Sequence, residues 1–207
     1  PKKGNSSGGA SAVVVVQPAQ AVPKKKNKKK KSGSSQQGLG TMRLPIKSEI
    51  VCSVTIKSGT TSVNGACPFD VATVPYLGRF RDLFERYSVH SLKYEFRSAC
   101  PTTQGGRIQL GFDWGSILKN QDRMKISQLS PTAGCAIYKD ITLAVPSQRL
   151  MSRKFYQTGT SADPVDRSPG QILFSAEATL TTAPTADFIV GEIWATYSVT
   201  LMDPRPA

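Results

Sequence analysis

Apolar and polar residues alternate along most of the chain after residue 40, which is the pattern of β-strands buried on one face. Two segments follow a helical spacing instead and predict short amphipathic helices at 78–86 and 124–129. Clusters of Gly, Pro and Ser separate these segments, so the pattern predicts about eight strands joined by turns. The result favours an all-β fold, an eight-stranded antiparallel jelly-roll sandwich with two short helices. The predicted strands lie near 46–57, 69–74, 91–97, 107–112, 134–138, 140–145, 150–157, 171–180 and 189–202.

The strands at 91–97 and 107–112 show the alternation most clearly. Leu92, Tyr94 and Phe96 share one face of the first strand, and charged residues share the other. Turn-forming residues lie between the two strands, so the pair is predicted to form a β-hairpin. An apolar face opposite a charged face is typical of a strand between core and solvent. It differs from the mixed aromatic and basic face on which RNA-binding sheets stack bases.

The first forty residues differ in composition from the rest of the chain. They contain nine lysines, no acidic residue and no aromatic residue. Such a segment cannot bury enough apolar surface to offset its ordering entropy. Residues 1–40 are therefore predicted to be a disordered basic arm, and residues 41–207 the jelly-roll domain. The arm lysines are Lys2, Lys3, Lys24, Lys25, Lys26, Lys28, Lys29, Lys30 and Lys31.

The net charge of +13 is concentrated in this arm. Nine of the 27 basic residues and none of the 14 acidic residues lie there, so the arm carries +9 and the other 167 residues carry +4. A lysine run of this density predicts binding to the nucleic-acid backbone without sequence preference. A solubilising tail or a nuclear-localisation patch is the alternative interpretation. An apolar stretch at 13–23 is either a linker or a segment that pairs with a neighbouring copy.

Residues for catalysis and metal binding are scarce in the sequence. His90 is the single histidine, which excludes zinc sites built on histidine and the histidine-rich centre of a jelly-roll oxygenase. No nucleophile elbow and no phosphate-binding loop occurs, so we expect no enzymatic activity. The longest apolar runs are too short for a membrane span or a secretory signal, so we expect neither.

The four cysteines, Cys52, Cys67, Cys100 and Cys135, contain no Cys-x-x-Cys pair. This spacing argues against a zinc ribbon, and without a secretory signal it predicts free thiols in a reducing compartment. A disulfide or a reactive thiol is the alternative.

Two stretches of the chain are similar to a known family. Residues 84–96 read FERYSVHSLKYEF and residues 98–114 read SACPTTQGGRIQLGFDW, and the end of the chain, 191–204, reads GEIWATYSVTLMDP. They resemble the shell domain of coat proteins from small icosahedral plant RNA viruses, of the sobemovirus and tombusvirus-like group. The likeness covers about residues 45–203, but its specific motifs lie only near 76–114 and 191–204.

The resemblance implies a capsid protein that assembles with copies of itself into an icosahedral shell, expected to be T=3, around single-stranded genomic RNA. The arm is then internal, and the protein belongs to a virion assembled in the host cytoplasm. Since the chain ends soon after its last strand, no protruding domain is expected. The alternative is a cellular single-stranded RNA-binding or chaperone protein of β-barrel type with a basic tail.

The family often binds calcium between subunits through an Asp-x-x-Asp arrangement after the Gly-Phe strand. Here that region offers only Asp113. The resemblance therefore implies an inter-subunit calcium site only if Asp113 combines with Asp163 or Asp166, because calcium takes oxygen ligands from carboxylates. Ordinary turn chemistry is the alternative role for each of these aspartates.

Overall fold

The computed structural model describes residues 40–159, 162–180 and 184–206, and the arm before residue 40 lies outside this part. The described residues form ten strands and four short helices. In chain order they are β1 (Thr41–Arg43), β2 (Lys47–Ile56), β3 (Ser62–Pro68), α1 (Pro75–Gly78), β4 (Phe84–Ser98), β5 (Gly105–Asp113), α2 (Arg123–Ser127), β6 (Thr132–Ala136), β7 (Ile141–Val145), α3 (Ser147–Leu150), β8 (Tyr156–Gln157), α4 (Pro164–Arg167), β9 (Gln171–Thr179) and β10 (Phe188–Pro204).

The strands form two antiparallel sheets. The first has the order β2, β10, β4, β7, with the short strands β1 and β8 added beside β10 and β4. The second has the order β3, β9, β5, β6. In both sheets, strands from the two ends of the chain lie side by side, which is the arrangement of a jelly roll. The eight longer strands therefore confirm the predicted sandwich.

The core lies between the two sheets. Leu92, Tyr94 and Phe96 of β4 are all buried, as the alternation predicted, while Lys93 and Arg97 are exposed. The Tyr94 ring lies 6.1 Å from the ring of Phe112 on β5, measured between centroids. Apolar faces from both sheets thus interdigitate across the sandwich.

The predicted hairpin at 91–112 is wrong, because β4 and β5 belong to different sheets. Each strand carries one apolar face. If β4 and β5 paired edge to edge in one sheet, both apolar faces would lie on the same side of that sheet, and other residues would have to cover them. The loop after Ser98 instead carries the chain from one sheet to the other. The two apolar faces then cover each other, which the alternation by itself could not distinguish from a hairpin.

The predicted strand at 69–74 is also wrong, since these residues form a turn after β3. The carboxylate of Asp70 accepts hydrogen bonds from the backbone N–H groups of Ala72 and Thr73, both at 2.8 Å, and so holds the turn. The real strand, β3, precedes it and contains Gly65. A side chain at this glycine would overlap the ring of Phe174 on β9, since an added Cβ would lie 2.3 Å from it. Because β3 contains small residues that leave room for a large neighbouring side chain, its sequence shows no clear alternation of apolar and polar positions.

The helix predicted at 78–86 is shorter and earlier than expected. Helix α1 begins at Pro75, whose fixed φ suits the first turn, and β4 already begins at Phe84. Tyr87 pairs with Leu201 in the sheet, and its hydroxyl donates to the carbonyl of Arg167. Residues 79–83 form turns, and pairing of β4 with β10 makes the chain extended from Phe84 onward despite its helical spacing.

The second helix was predicted within two residues of its observed bounds. Helix α2 begins after Asp122, whose carboxylate accepts a hydrogen bond of 2.9 Å from the backbone N–H of Lys125. This contact is a regular N-cap. By contrast, the strand predicted at 150–157 is mostly wrong: the segment holds the end of α3, turns and only the two residues of β8.

All four cysteines are free thiols, as the sequence predicted. The His90 ring Nε2 lies 2.8 Å from the hydroxyl of Thr200, so this histidine has an ordinary strand-to-strand partner. In the described part of the chain, each helix is too short to cross a membrane.

Candidate functional site

The nine lysines of the arm lie outside the described residues. Their role in RNA binding stays a prediction. The aspartates predicted from the resemblance lie at one end of the sandwich, and their surroundings are described in turn.

Asp113 ends β5 and is almost fully buried, with 9% of its surface exposed. One carboxylate oxygen accepts from the N–H of Gly115 at 3.1 Å, and the other accepts from the N–H groups of Ile117 and Leu118, both at 3.1 Å. The second oxygen also accepts from the side-chain amide of Gln171 at 2.9 Å. Four donors of the same chain therefore already surround this carboxylate, and it organises the loop that follows β5.

Gln171 links this loop to the second sheet. Its amide donates both to Asp113 and to the carbonyl of Leu118, the latter at 2.5 Å. Gln171 is itself buried and starts β9, which pairs with β5. The buried polar groups thus satisfy each other, as buried polar groups must.

Asp163 precedes α4 and Asp166 lies within it, and α4 lines the same cavity as the loop that follows Asp113. The carboxylate of Asp166 forms an ion pair with Arg153, whose guanidinium also donates to the carbonyl of Val165 at 2.6 Å. Asp163 precedes α4, is exposed, and its side chain makes no capping hydrogen bond. Among the residues that the structure describes, Asp113 and Asp166 each bind groups of their own chain through their carboxylates, whereas the carboxylate of Asp163 does not cap α4.

The three aspartates do not meet within one chain. Among residues 40–159, 162–180 and 184–206, no three His, Cys, Asp or Glu side chains are grouped closely enough to hold a metal ion. The calcium site was predicted between subunits, so it stays a prediction. A calcium ion at Asp113 would have to share that carboxylate with the hydrogen bonds that now hold the loop.

A cavity of about 360 Å³ opens beside this loop. Its walls include Asp70, Lys119, Arg167 and Gln171. Acidic and basic side chains are thus mixed, and the acidic one, Asp70, is held by its own turn. The cavity has no convergent set of free ligands for a metal ion.

A larger groove of about 620 Å³ lies on the outer surface of the second sheet, beside α2. Arg107 and Arg123 line it together with small residues such as Gly134. Arg123 is only loosely paired with Glu177, at 3.9 Å. The groove is therefore weakly basic, and sequence analysis missed it because Arg107 and Arg123 come from separate elements.

Stacked arginine and aromatic side chains are a second feature that the sequence did not reveal. The guanidinium of Arg97 lies 4.1 Å from the ring centre of Trp194, and that of Arg149 lies 4.3 Å from the ring centre of Trp114. Such pairs form when cations lie over aromatic rings, and Trp and Arg are enriched in protein interfaces. The partners of each pair are far apart in sequence. The register of β4 and β10 brings Arg97 and Trp194 together, whereas Arg149 reaches Trp114 from helix α3.

A buried tyrosine fixes the edge of the first sheet. The hydroxyl of Tyr197 donates to the carboxylate of Glu49, whose other oxygen accepts from the N–H of Tyr76 at 2.9 Å. Burial raises the pKa of Tyr197 above its ordinary value, and the hydrogen bond to Glu49 raises it further. The contact joins β10, β2 and the start of α1.

Two antiparallel sheets with this strand order define a jelly-roll domain. The viral coat protein (S domain) family matches residues 12–207, so the chain belongs to this family.

The comparisons with individual proteins agree with this assignment. The chain is 29% identical to the capsid protein of Artichoke mottled crinkle virus over 140 residues, which cover 67% of this chain and 34% of that protein. Its structure is similar to that of tobacco necrosis virus, with a TM-score of 0.67 and 17% identity over 80% of this chain and 97% of the other. It is also similar to the T=3 Penaeus vannamei nodavirus, with a TM-score of 0.69 and 16% identity over 95% of this chain and 65% of the other.

The chain spans about a third of the length of the first curated relatives that it matches. At these identities, the similar structures support the fold, while the family membership rests on the match over most of the chain.

Proposed function

We propose that this chain is the shell-forming part of a viral capsid protein, with a structural and not a catalytic role. Copies of it assemble into an icosahedral shell of the T=3 type, and the protein is found in the virion after assembly in the host cytoplasm. The observation that carries this proposal is the family match over residues 12–207 on a two-sheet jelly roll. The described domain can supply the polar and apolar contacts of a shell, because its surface carries a half-buried Trp194 beneath Arg97 and exposed aliphatic side chains such as Ile46.

We further propose that the arm lysines neutralise single-stranded RNA inside the shell. The charge distribution supports this proposal, because the arm carries +9 while the remaining residues carry only +4. If each arm lysine contacts one phosphate, the slope of log K against log salt concentration is about −6.

The assembly proposal is tested by negative-stain electron microscopy of the purified full chain. Closed particles of uniform diameter are the expected result. Monomers at assembly concentrations, or strings of protein along added RNA, would contradict the shell proposal and favour a binding module.

The RNA proposal is tested separately with two variants of equal charge change. Replacing Lys28, Lys29 and Lys30 by Gln should reduce the magnitude of the salt slope by about 2 and lower the RNA content of particles. The matched control replaces three exposed lysines of the domain, Lys93, Lys119 and Lys154. If the control changes the slope as much as the arm variant does, the arm is not the RNA-binding element.

We also propose that Asp113, Asp163 and Asp166 contribute to a calcium site between subunits. Its test is particle diameter at raised pH with and without a chelator, measured by light scattering. Swelling that calcium reverses supports an inter-subunit site. If swelling is unchanged in the Asp163→Asn variant, Asp163 is not part of the site. This residue is suitable to change because its exposed side chain makes no capping hydrogen bond to α4.

A further inference from the structure

Cys52 and Cys67 both point into the space between the two sheets. Cys52 on β2 pairs with Ile193, which in turn pairs with Phe96, and both of these partners are fully buried. Residues that pair across neighbouring strands lie on the same face of a sheet. The thiol of Cys52 therefore faces the interior from the first sheet.

Cys67 occupies the equivalent position in the second sheet. On β3 it pairs with Ile172, which pairs with Phe112, and these partners are again fully buried. Strands β2 and β3 are the edge strands on the same side of the sandwich, and they follow each other in the chain. The two thiols thus approach each other from opposite sheets.

Neighbouring residues of β2 and β3 contact each other at this edge, and both thiols pack against the same core. The interaction between the two side chains lowers the pKa of Cys67 and raises the pKa of Cys52. Burial acts against ionisation at both sites. Because the two side chains are only partly buried, a small reagent in solution can reach the pair.

A third polar group lies next to the pair. The hydroxyl of Tyr94 is buried and has no hydrogen-bond partner among the described residues. Burial raises the pKa of Tyr94, and the nearby Cys67 and Cys52 raise it further. The thiol pair and this hydroxyl form a small polar cluster inside an otherwise apolar edge of the core.

We propose that Cys52 and Cys67 are a redox-sensitive modification site that forms a disulfide with a soluble disulfide such as oxidised glutathione. The disulfide links the two sheets to each other at the edge formed by β2 and β3. This inference does not depend on the proposed function.

The reaction proceeds by two thiol–disulfide exchanges. Cys67 loses its proton and attacks one sulfur of oxidised glutathione, and the released glutathione thiolate takes up a proton. Cys52 then loses its proton and attacks the Cys67 sulfur of the mixed disulfide, which releases the second glutathione. The two protein thiols are oxidised by two electrons, and one oxidised glutathione is reduced to two thiols.

The other two cysteines provide matched controls in the same chain. The thiol of Cys100 donates to the carbonyl of Val190 at 3.4 Å, and that of Cys135 donates to the carbonyl of Lys139 at 3.2 Å. Both are also partly buried, but the groups beside them are backbone carbonyls and, for Cys100, the Ser98 hydroxyl. They should form at most mixed disulfides with glutathione.

The test treats the full chain with oxidised glutathione and follows it by intact mass and by peptide mapping without reduction. The expected product has lost two hydrogen atoms, contains a Cys52–Cys67 linkage, and returns to the starting mass with dithiothreitol. The melting temperature should rise by about 5 °C or more, because the link closes a short loop in the unfolded chain. The variant with Cys100→Ser and Cys135→Ser should show both effects, while Cys52→Ser and Cys67→Ser should each lose them.

Three results would overturn the proposal. They are glutathione adducts on Cys52 or Cys67 without a link between them, no reaction at either thiol in the folded protein, and a link that leaves the melting temperature unchanged. If a serine variant fails to fold, peptide mapping of the unaltered chain decides between these results and the expected one.

Discussion

The two sheets of the sandwich bury the same core but present different outer surfaces. The first sheet is built around the long strands β4 and β10, and its outer face carries Lys93, Arg97 and Trp194. The second sheet carries small residues on its outer face, and α2 packs there, with Ile126 over Gly111. Charged side chains therefore lie on the outer face of the first sheet. Helix α2 packs on the outer face of the second sheet, where small residues leave room for it.

This difference predicts where substitutions act. Inside the sandwich both sheets depend on large side chains in contact, so truncation should cost about the same from either side. On the outer faces, a larger side chain should lower the free energy of unfolding only in the second sheet. The following predictions test this comparison.

The largest effect is expected for truncation at the centre of the core. Phe112→Ala in the second sheet and Phe96→Ala in the first should each lower the free energy of unfolding by about 3–5 kcal/mol, because both rings are fully buried. Denaturant unfolding of each variant measures this. If one variant lowers the free energy of unfolding by less than half as much as the other, the two sheets do not contribute equally to the core.

An intermediate effect is expected for added volume beneath α2. A Cβ at Gly111 would lie 2.8 Å from a methyl carbon of Ile126, so Gly111→Val should cost about 1–3 kcal/mol of stability. The control, Ala144→Val, adds volume at an exposed position of β7 on the outer face of the first sheet and should change stability by less than about 0.5 kcal/mol. Equal losses at both sites, measured by denaturant unfolding, would contradict the contrast between the outer faces.

The smallest effect is expected from pH. Partial burial, and to a lesser degree Arg43, lower the pKa of His90 in the folded protein. The unfolded chain then binds a proton more readily, so stability should fall slightly as pH drops below the ordinary histidine pKa of about 6.5. Comparing melting temperatures of the unaltered chain and His90→Gln between pH 7.5 and 5.5 isolates this contribution. A variant with the same pH dependence as the unaltered chain would show that His90 does not contribute.

The sequence was most informative where one strand face is apolar over many residues. The ends of β10 and the buried face of β4 were predicted closely, because alternation over a long strand has only one interpretation. It was least informative at β3, where Gly65 leaves room for the ring of Phe174 on β9. The residue that explains why β3 contains small residues lies on the partner strand, so the sequence of β3 alone does not predict a strand.

The candidate site shows the same division. The sequence could point to Asp113 because it follows the Gly-Phe strand, but it could not reveal that Gln171 and three backbone N–H groups already surround this carboxylate. The contacts between Arg97 and Trp194, and between Cys52 and Cys67, were equally hidden. Each depends on which strands become neighbours.

The amino-acid sequence by itself determined the all-β class, the concentration of positive charge in the first forty residues, and the faces of the longest strands. These properties follow from composition and from the two-residue period of a strand, which are local. Only the tertiary structure decided that β4 and β5 face each other from different sheets and that Cys52 meets Cys67 across the edge of the sandwich. An amphipathic strand specifies that one face must be covered, but the packing of the whole chain determines what covers it.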